Sequence, residues 1–302
     1  MFIVNNRKIF YIISGLLILA SLVSLGIWGL NLGIDFKGGS LLEVEYPDGR
    51  PDVEQIKSKI APLSLGDYSV RPTGDKGYIF RMKSLTEEER VSVMKAISPD
   101  DNKKIVQNRF DSIGPLLGKE AVNKSFVSVI LVILCIVLFI TFAFRKVSEP
   151  VSSWKYGIIA VLALLHDVIV PIGVFSILGH FHGVEIDTLF VTALLVILGF
   201  SIHDTIVVFD RVRENLRTSH DYRTKMPFSE IVGKSINETF VRSINTSLTT
   251  LLALIVLYFV GGEPTRYFSL ALIVGIITGT YSSIFLGSPL LVTVEKWQNR
   301  KK

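Results

Sequence analysis

The stretch SFVSVILVILCIVLFITFAF, residues 125–144, is twenty residues long and contains no charged side chain. The hydrocarbon core of a bilayer is about 30 Å thick, and a helix needs roughly 20 apolar residues to cross it. Further apolar runs of this kind occupy residues 9–30, 156–178, 186–209, 243–260 and 267–291. A mean hydropathy of +0.47 agrees with this pattern. The sequence therefore predicts a membrane-embedded α-helical bundle of six transmembrane helices.

The first apolar run, residues 9–30, has some features of a cleaved signal peptide. Arg7 and Lys8 precede it, and small residues such as Ala20 and Ser21 lie within it. The apolar core of a signal peptide has about 7–15 residues, which is shorter than this run. We therefore predict a retained membrane anchor rather than a removable leader.

Lysine and arginine are distributed unevenly among the segments that connect the apolar runs. Sixteen of them lie in the N-terminal segment, in the loops after the second and fourth runs, and in the C-terminal segment. The short loops at 180–185 and 261–266 together contain only one, Arg266. Because cytoplasmic segments carry the excess of Lys and Arg, we predict that both termini are cytoplasmic. The net charge of +5 is then a signal of topology.

Residues 31–124 form the one long hydrophilic segment, and this topology places it outside the cytoplasm. It contains 15 basic and 15 acidic residues, so it offers no basic surface for nucleic acid. Its pattern predicts strands at 41–46, 67–71, 78–82 and 103–110, and helices at 51–60 and 85–97. The order β-α-β-β-α-β predicts an extracytoplasmic α+β domain of the ferredoxin-like type. The predicted domains are then 1–30, 31–124, 125–291 and a basic cytoplasmic tail at 292–302.

Ionisable and polar side chains inside the fourth and fifth runs indicate a functional site, because such groups are costly within a membrane. On the fourth helix Ser201, Asp204 and Thr205 have helical spacing and share one face, with His203 beside them. On the fifth helix, polar residues at helical spacing form a stripe: Arg242, Asn245, Thr246, Thr249 and Thr250.

Asp204 and Arg242 fall at similar depth, in the cytoplasmic half of the predicted membrane. A buried carboxyl group beside a movable guanidinium group changes its affinity for protons, so the pair fits a proton relay. Two alternatives remain open on composition alone. In the first alternative, the two residues form a static ion pair that fixes helix packing. In the second, Arg242 extends to phosphate headgroups at the membrane surface.

The third run contains the pair His166-Asp167 near its centre. Adjacent residues on a helix point about 100° apart, so the two side chains are not expected to share one partner. The simplest interpretation is that Asp167 faces the bundle and hydrogen-bonds to neighbouring helices; a part in the relay is the alternative. In the sixth run, small residues recur every fourth position, including Gly275 and Gly279. Such spacing predicts close helix packing rather than chemistry.

Motifs for hydrolytic, nucleotide or metal chemistry are missing from the sequence. The single cysteine, Cys135, lies in an apolar run, which excludes a disulfide framework and paired-thiol chemistry. The glycine pair Gly38-Gly39 lacks the strand-to-helix context of a phosphate-binding loop, and no metal-ligand spacing occurs. We therefore predict a protein that is not an enzyme and has no metal or cofactor.

Five motifs, in order along the chain, resemble those of the SecF family, the membrane subunits of the bacterial SecDF protein-export complex. They are GIDFKGGSLLEVEY (33–46), LLHDVIV (164–170), VEIDTLFVTALLVILGFSIHDTIVVFDRVREN (184–215), RSINTSLTT (242–250) and GTYSSIFLGSPLL (279–291). The resemblance covers almost the whole chain. It implies membership of the resistance-nodulation-division transporter superfamily and a location in the bacterial cytoplasmic membrane.

The resemblance also implies partners and an energy source. It implies pairing with SecD, assistance to the SecYEG channel, and promotion of preprotein translocation by the proton motive force; Na⁺ as the driving ion stays open. The family's proton-relay residues correspond to Asp204 and Arg242. The family usually has Asn before this aspartate, and here His203 takes its place, so the part of His203 in the relay is open.

Other classes of function compete with this interpretation. One is half of a small-molecule or lipid exporter of the same superfamily, although the sequence shows no internal repeat that would supply the second half. Another is an aspartyl protease using Asp167 and Asp204, which their different depths disfavour. A purely structural assembly factor is the third, and it would tolerate loss of the Asp204 charge.

Overall fold

The computed structural model describes residues 2–63, 65–66, 68–98, 105–143, 151–221 and 226–299. The chain divides into two compact units. One unit is Leu32–Phe126, and the other combines Met1–Asn31 with Val127–Lys302.

Helices make up most of the described residues. They are α1 (Phe2–Asn5), α2 (Arg7–Trp28), α3 (Ile34–Lys37), α4 (Val53–Ile60), α5 (Glu87–Ile97), α6 (Pro115–Ala143), α7 (Ser153–His182), α8 (Thr188–Asp221), α9 (Phe228–Val260), α10 (Glu263–Tyr281) and α11 (Ser288–Asn299), with a 3-10 turn at Ala61–Leu63 and a π-helical segment at Ser282–Gly287. The strands are β1 (Gly39–Glu45), β2 (Ser69–Thr73), β3 (Gly77–Met82) and β4 (Val106–Ile113).

The unit Leu32–Phe126 is a small α+β domain with the predicted element order. Its sheet has the strand order β2-β3-β1-β4, and all neighbouring strands are antiparallel. This is the topology of the split β-α-β arrangement, so the ferredoxin-like prediction is confirmed. One face of the sheet contributes Leu42, Val44 and Phe80 to a core that also contains Ile56 of α4 and Val93 of α5.

The element boundaries in this domain differ from the predicted ones by a few residues. The largest shift is in β4, which ends at Ile113, whereas the sequence predicted an end at 110. Helix α5 begins at Glu87, where a capping box forms between Thr86 and Glu89. The capping residues satisfy backbone groups at the start of the helix, two residues after the predicted start at 85.

The Gly38-Gly39 pair lies where the chain enters the sheet of this domain. Both residues have positive φ, and a Cβ atom on Gly38 would lie 2.8 Å from Cα of Pro115. A Cβ atom on Gly118 would lie equally close, at 2.8 Å, to the carbonyl oxygen of Phe36. The entering segment and the first turn of α6 are therefore in direct backbone contact, which only glycine allows.

The second unit contains the apolar helices. Among the described residues, six helical segments are long and apolar enough to span a membrane, as predicted. They are Arg7–Trp28, Pro115–Ala143, Trp154–His182, Thr188–His220, Phe228–Val260 and Thr265–Gln298. Helix α7 packs against α2, α8 and α10, and α10 also packs against α8 and α9. Few residues of α6 are buried, and the rest are exposed or half-buried, which suits a helix whose apolar surface contacts lipid.

Helices α8 and α9 extend well beyond the apolar runs. The predicted fifth run begins at 243, whereas α9 begins at Phe228. The added turns bury Ile231, Val232 and Ser235, and Ser235 accepts a hydrogen bond from Asn215 at 2.9 Å. Packing between the two extensions, rather than lipid, stabilises these turns, so a search for apolar runs underestimates their length.

The last apolar run is not one continuous α-helix, contrary to the prediction. A π-helical segment at Ser282–Gly287 separates α10 from α11. Pro289 lacks the N–H group that would bond to the carbonyl of Phe285, so the α-helical ladder is interrupted at this point. Residues 292–299 continue as helix, where the sequence predicted a separate tail.

Candidate functional site

The polar face predicted on α8 is buried inside the bundle. Ser201, Asp204 and Thr205 are all at most 2% exposed. His203 lies on the opposite side, where its side chain is 62% exposed. The helical spacing that placed the first three residues on one face also directs His203 outward.

Asp204 is incompletely hydrogen-bonded. Its Oδ1 atom lies 4.0 Å from Nδ1 of His203, beyond hydrogen-bonding distance. Its Oδ2 atom is buried and has no hydrogen-bond partner among the described residues. Buried polar atoms are nearly always paired, so this oxygen marks a place where a proton or a partner group is expected.

Arg242 does not contact Asp204, although the sequence suggested that the two could meet. Arg242 is exposed, and among the described residues no acidic oxygen lies within 4 Å of its guanidinium group. The next residue, Ser243, is buried, as is Ser247 one turn later. Because successive helical residues point about 100° apart, the face of α9 that packs inward leaves Arg242 on the outside.

The rest of the predicted polar stripe on α9 also lies on the outside. Asn245 and Thr249 are exposed. Thr246 donates to the carbonyl of Arg242 at 3.0 Å, and Thr249 donates to the carbonyl of Thr246 at 2.9 Å. Both hydroxyl groups therefore donate to carbonyl oxygens of their own helix. The amide of Asn245 and the guanidinium of Arg242 remain exposed on a helix of membrane-spanning length.

Asp167 has a nearly complete set of hydrogen bonds deep in the bundle. Asp167 and His166 are both 0% exposed. The Oδ2 atom accepts hydrogen bonds from Ser201 of α8 and, at 2.7 Å, from Ser282 of the π-helical segment. The Oδ1 atom lies 2.9 Å from Nδ1 of His166. The two adjacent side chains contact each other, and the serine partners of Asp167 make no hydrogen bond to His166 among the described residues.

The serines of the π-helical segment were not recognised as site residues from the sequence. Ser283 contacts Thr205, with 2.8 Å between their hydroxyl oxygens, and it also donates to the carbonyl of Ser201. The signal was the adjacent pair Ser282-Ser283 inside an apolar run, of which only Ser283 falls on the four-residue spacing that was assigned to packing. In an α-helix adjacent side chains diverge, and here both reach the polar groups around α8.

The two glycines predicted for packing lie where α10 approaches α8. A Cβ atom on Gly275 would lie 2.1 Å from Cδ1 of Ile197, and one on Gly279 would lie 3.1 Å from Cβ of Ser201. The close approach brings the π-helical serines within reach of α8 and Asp167. Among the described residues, no group of three or more His, Cys, Asp or Glu side chains is arranged to hold a metal ion.

Comparison with known proteins identifies the family. A family model described as protein export membrane protein SecD/SecF, C-terminal, matches residues 93–297, and a model for the SecD/SecF GG motif matches residues 23–46. The protein translocase subunit SecF of Thermobaculum terrenum is 43% identical, over 99% of this chain and 94% of that protein. SecF of Anaerolinea thermophila is 39% identical, over 98% of this chain and 96% of that protein. The chain belongs to the SecF family of protein translocase subunits.

Solved SecDF structures share the fold of this SecF-family chain. The crystal structure of SecDF from Thermus thermophilus, described as a translocon-associated membrane protein, matches with a TM-score of 0.81 and 30% identity over 98% of this chain. A SecDF structure in a super-membrane-facing form matches with a TM-score of 0.64. In both cases this chain spans 38% of the SecDF polypeptide. The resemblance to SecF predicted from five motifs is confirmed, and the multi-pass membrane architecture with it.

Proposed function

We propose that this chain acts with a SecD partner to couple the proton motive force to preprotein translocation and release on the outer side of the membrane. The observation that supports this most directly is Asp204, a buried carboxyl group with one oxygen that lacks a hydrogen-bond partner among the described residues. A charged carboxylate at the centre of a membrane helix costs about 2.5–3.5 kcal/mol. The occupancy of this site by a proton therefore has a large effect on the packing of α8.

The energy available from proton flow is sufficient for such a mechanism. Moving one elementary charge across 100 mV releases about 2.3 kcal/mol. That energy changes a two-state equilibrium by roughly 50-fold. In the proposed cycle, protonation of Asp204 neutralises its charge, α8 reorients against α10 and the π-helical segment, and the domain Leu32–Phe126 responds on the outer side.

The outward polar stripe of α9 supports the SecD pairing. A membrane helix that leaves Arg242 and Asn245 on its surface is poorly suited to lipid. A second membrane subunit on this face would shield both side chains and bring new polar groups to them. The solved relatives named SecDF combine the two types of subunit, and this chain corresponds to 38% of that polypeptide. In the proposed SecD complex, Arg242 lies on the face of α9 that meets SecD, and a rotation of α9 during the cycle brings its positive charge toward Asp204.

The proposed orientation follows from the distribution of positive charge. Both termini are cytoplasmic, and the domain Leu32–Phe126 lies outside, where it meets the preprotein that leaves the SecYEG channel. Hydrophilic maleimide labelling of single cysteines in a Cys135→Ala background tests this orientation. Cysteines in the domain should label from the outside of intact cells, and cysteines at residues 222–225 should not.

The deciding experiment measures preprotein export into membrane vesicles with an imposed proton gradient. We expect Asp204→Asn to insert and to copurify with SecD, and to lose at least tenfold of the gradient-dependent stimulation. Asp210→Asn is the matched control, because Asp210 lies on the same helix, is exposed, and forms a surface ion pair with Arg213 at 3.1 Å. Surface pairs of this kind contribute little, so this variant should behave like the wild type.

Two results would overturn the proposal. Full gradient-dependent stimulation by Asp204→Asn would show that this carboxyl group is not part of the relay, and would favour a structural assembly factor. Stimulation of the wild-type protein by a sodium gradient alone would show that the driving ion is Na⁺.

A further inference from the structure

The pair His166-Asp167 is a second ionisable site within the bundle, separate from Asp204. Both side chains are fully buried. Among the described residues, His166 is the only basic side chain within 4 Å of the Asp167 carboxylate. Other titratable groups on the helices packed around α7 include Tyr11 of α2, Tyr281 of α10 and Asp204 of α8. Tyr11 bonds to Thr293, and Tyr281 donates to the carbonyl of Phe10.

The net charge of the pair depends on a single proton. With a neutral imidazole and an ionised carboxylate, the pair carries one negative charge in a fully buried place, which is unfavourable. One added proton makes the pair neutral overall, either as imidazolium with carboxylate or as neutral imidazole with a carboxylic acid. The pair and not either residue alone is the unit that binds this proton.

The hydrogen bonds determine where the added proton arrives. Asp167 Oδ2 is occupied by the hydroxyl groups of Ser201 and Ser282, and Oδ1 faces Nδ1 of His166. In the unloaded pair, Nδ1 carries hydrogen and donates to Oδ1, so Nε2 is bare. In the loaded pair, the shared hydrogen lies on Nδ1 or on Oδ1, and in both cases Nε2 carries hydrogen. Gain or loss of the proton is therefore a change at Nε2.

Nε2 of His166 is also the one atom of the pair that has no hydrogen-bond partner among the described residues. The ring lies beside that of Tyr281, with 6.1 Å between centroids and 29° between planes. A purely structural histidine in a core usually pairs both ring nitrogens. The unpaired nitrogen is thus the nitrogen that must exchange a proton.

The helix geometry at Asp167 couples this site to the surroundings of Asp204. Pro171 lies within α7 and lacks the N–H group that would bond to the carbonyl of Asp167, so the helix is weakened here. Ser201, which donates to Asp167, lies one turn before Asp204 on α8. Ser282 donates to Asp167, and its neighbour Ser283 contacts Thr205 beside Asp204. Helix α8 and the π-helical segment therefore contribute to the surroundings of both Asp167 and Asp204.

We propose that His166 and Asp167 form a second proton-binding site of the relay, with His166 Nε2 as the atom that gains and loses the proton and Ser201 and Ser282 as positioning residues. Protonation transfers one proton, H⁺, from a hydronium ion to Nε2, leaves a water molecule, and changes the charge of the pair from −1 to 0. This inference rests on the proposed proton-driven function and extends it to a second residue pair.

The test is solid-state NMR of the ¹⁵N-histidine-labelled full chain in lipid vesicles. The chain has five histidines, and the loss of one signal in His166→Gln assigns the resonance of His166. We expect Nε2 of His166 to change from a bare to a protonated nitrogen when the pH is lowered from about 8 to about 5. In Asp167→Asn, the same change should need at least a tenfold higher proton concentration. His203→Gln is the matched control and should leave the His166 transition unchanged.

An Nε2 signal of His166 that stays constant over this pH range in the wild-type chain would overturn the inference, and this measurement does not depend on the folding of any variant. Export assays separate it from the proposed function. If the wild-type protein does not respond to a proton gradient, the proposed function fails and the NMR transition still decides the site. If the wild-type protein responds and Asp167→Asn responds equally, the second site alone is wrong.

Discussion

The dipeptide His-Asp occurs twice within the apolar runs, at 166–167 on α7 and at 203–204 on α8, and these two regions differ in every contact. His166 is fully buried and lies 2.9 Å from its aspartate, whereas the His203 side chain is 62% exposed and lies 4.0 Å from its own. Asp167 accepts two serine hydroxyls, while Asp204 leaves one oxygen without a partner among the described residues. The same two residues therefore form one closed site and one open site.

This difference shows that the position of the helix in the bundle, and not the identity of the two residues, decides whether the pair is buried and hydrogen-bonded. Helix α7 is surrounded by α2, α8 and α10, so both residues of its pair are enclosed. Helix α8 contacts neighbours on one side only at residue 204, so its pair is divided between the interior and the surface. In the proposed mechanism the divided pair exchanges protons at the surface that a partner subunit would cover. The enclosed pair is linked to its surroundings by its hydrogen bonds and has one unpaired nitrogen, Nε2 of His166, among the described residues.

The closed site at His166 and Asp167 depends on the close approach of α10 to α8. A substitution that forces these two helices apart should have the largest effect on stability. Gly275→Leu adds atoms where even a Cβ would lie 2.1 Å from Ile197. We expect a loss of about 3 kcal/mol or more in the free energy of unfolding, the upper end for overpacking. Thermal unfolding in detergent micelles measures it.

Gly199→Leu is the control for this substitution, because Gly199 is exposed on α8 and a Cβ atom there would have nothing within 4 Å. Leucine favours helix over glycine by up to about 1 kcal/mol, so this variant should be as stable as the wild type or slightly more stable. Equal destabilisation by the two substitutions would contradict the close contact between α8 and α10.

Replacing each histidine in turn compares the two regions directly. His166→Leu leaves Oδ1 of the buried Asp167 without its partner, and we expect a loss of about 2 kcal/mol. His203→Leu alters an exposed side chain and should change stability by no more than about 0.5 kcal/mol. The midpoints of thermal unfolding at neutral pH measure both effects. If the order is reversed, the assignment of closed and open regions is wrong.

The smallest expected effect concerns the π-helical segment. Ser282→Ala removes one of the two hydroxyl groups that donate to Asp167 and should cost about 1 kcal/mol. Ser243→Ala is the comparison, since the Ser243 hydroxyl is equally buried but has no hydrogen-bond partner among the described residues. That variant should be neutral or slightly stabilising. A loss of stability in Ser243→Ala that matches the loss in Ser282→Ala would show that the bond to Asp167 contributes nothing.

Much of the architecture was predictable because it follows from local rules. Apolar run length identified the six spans, and turn and capping residues identified the elements of the ferredoxin-like domain in the right order. Errors occurred where packing overrides local preference. The early start of α9 depends on contacts with the extension of α8, such as Asn215 with Ser235. The π-helical segment depends on Pro289 and on the fit of two serines against α7 and α8.

The candidate site was predictable as a set of residues and not as a set of contacts. Helical spacing correctly grouped Ser201, Asp204 and Thr205, because one face of one helix is a local property. The contact between Asp204 and Arg242 requires two helices to have the right rotation, and the observed rotation of α9 turns Arg242 outward. The partners of Asp167 come from α8 and the π-helical segment, 34 and 115 residues away along the chain.

The sequence by itself determined that this chain spans a membrane, where its polar groups concentrate, and which family it belongs to, since these depend on composition, periodicity and motif. Only the tertiary structure decided which of the two His-Asp pairs is enclosed, which serines serve Asp167, and which face of α9 is left for a partner. The physical reason is that burial and hydrogen bonding between helices depend on their rotation and separation. Those quantities result from the packing of all helices together, so no single segment specifies them.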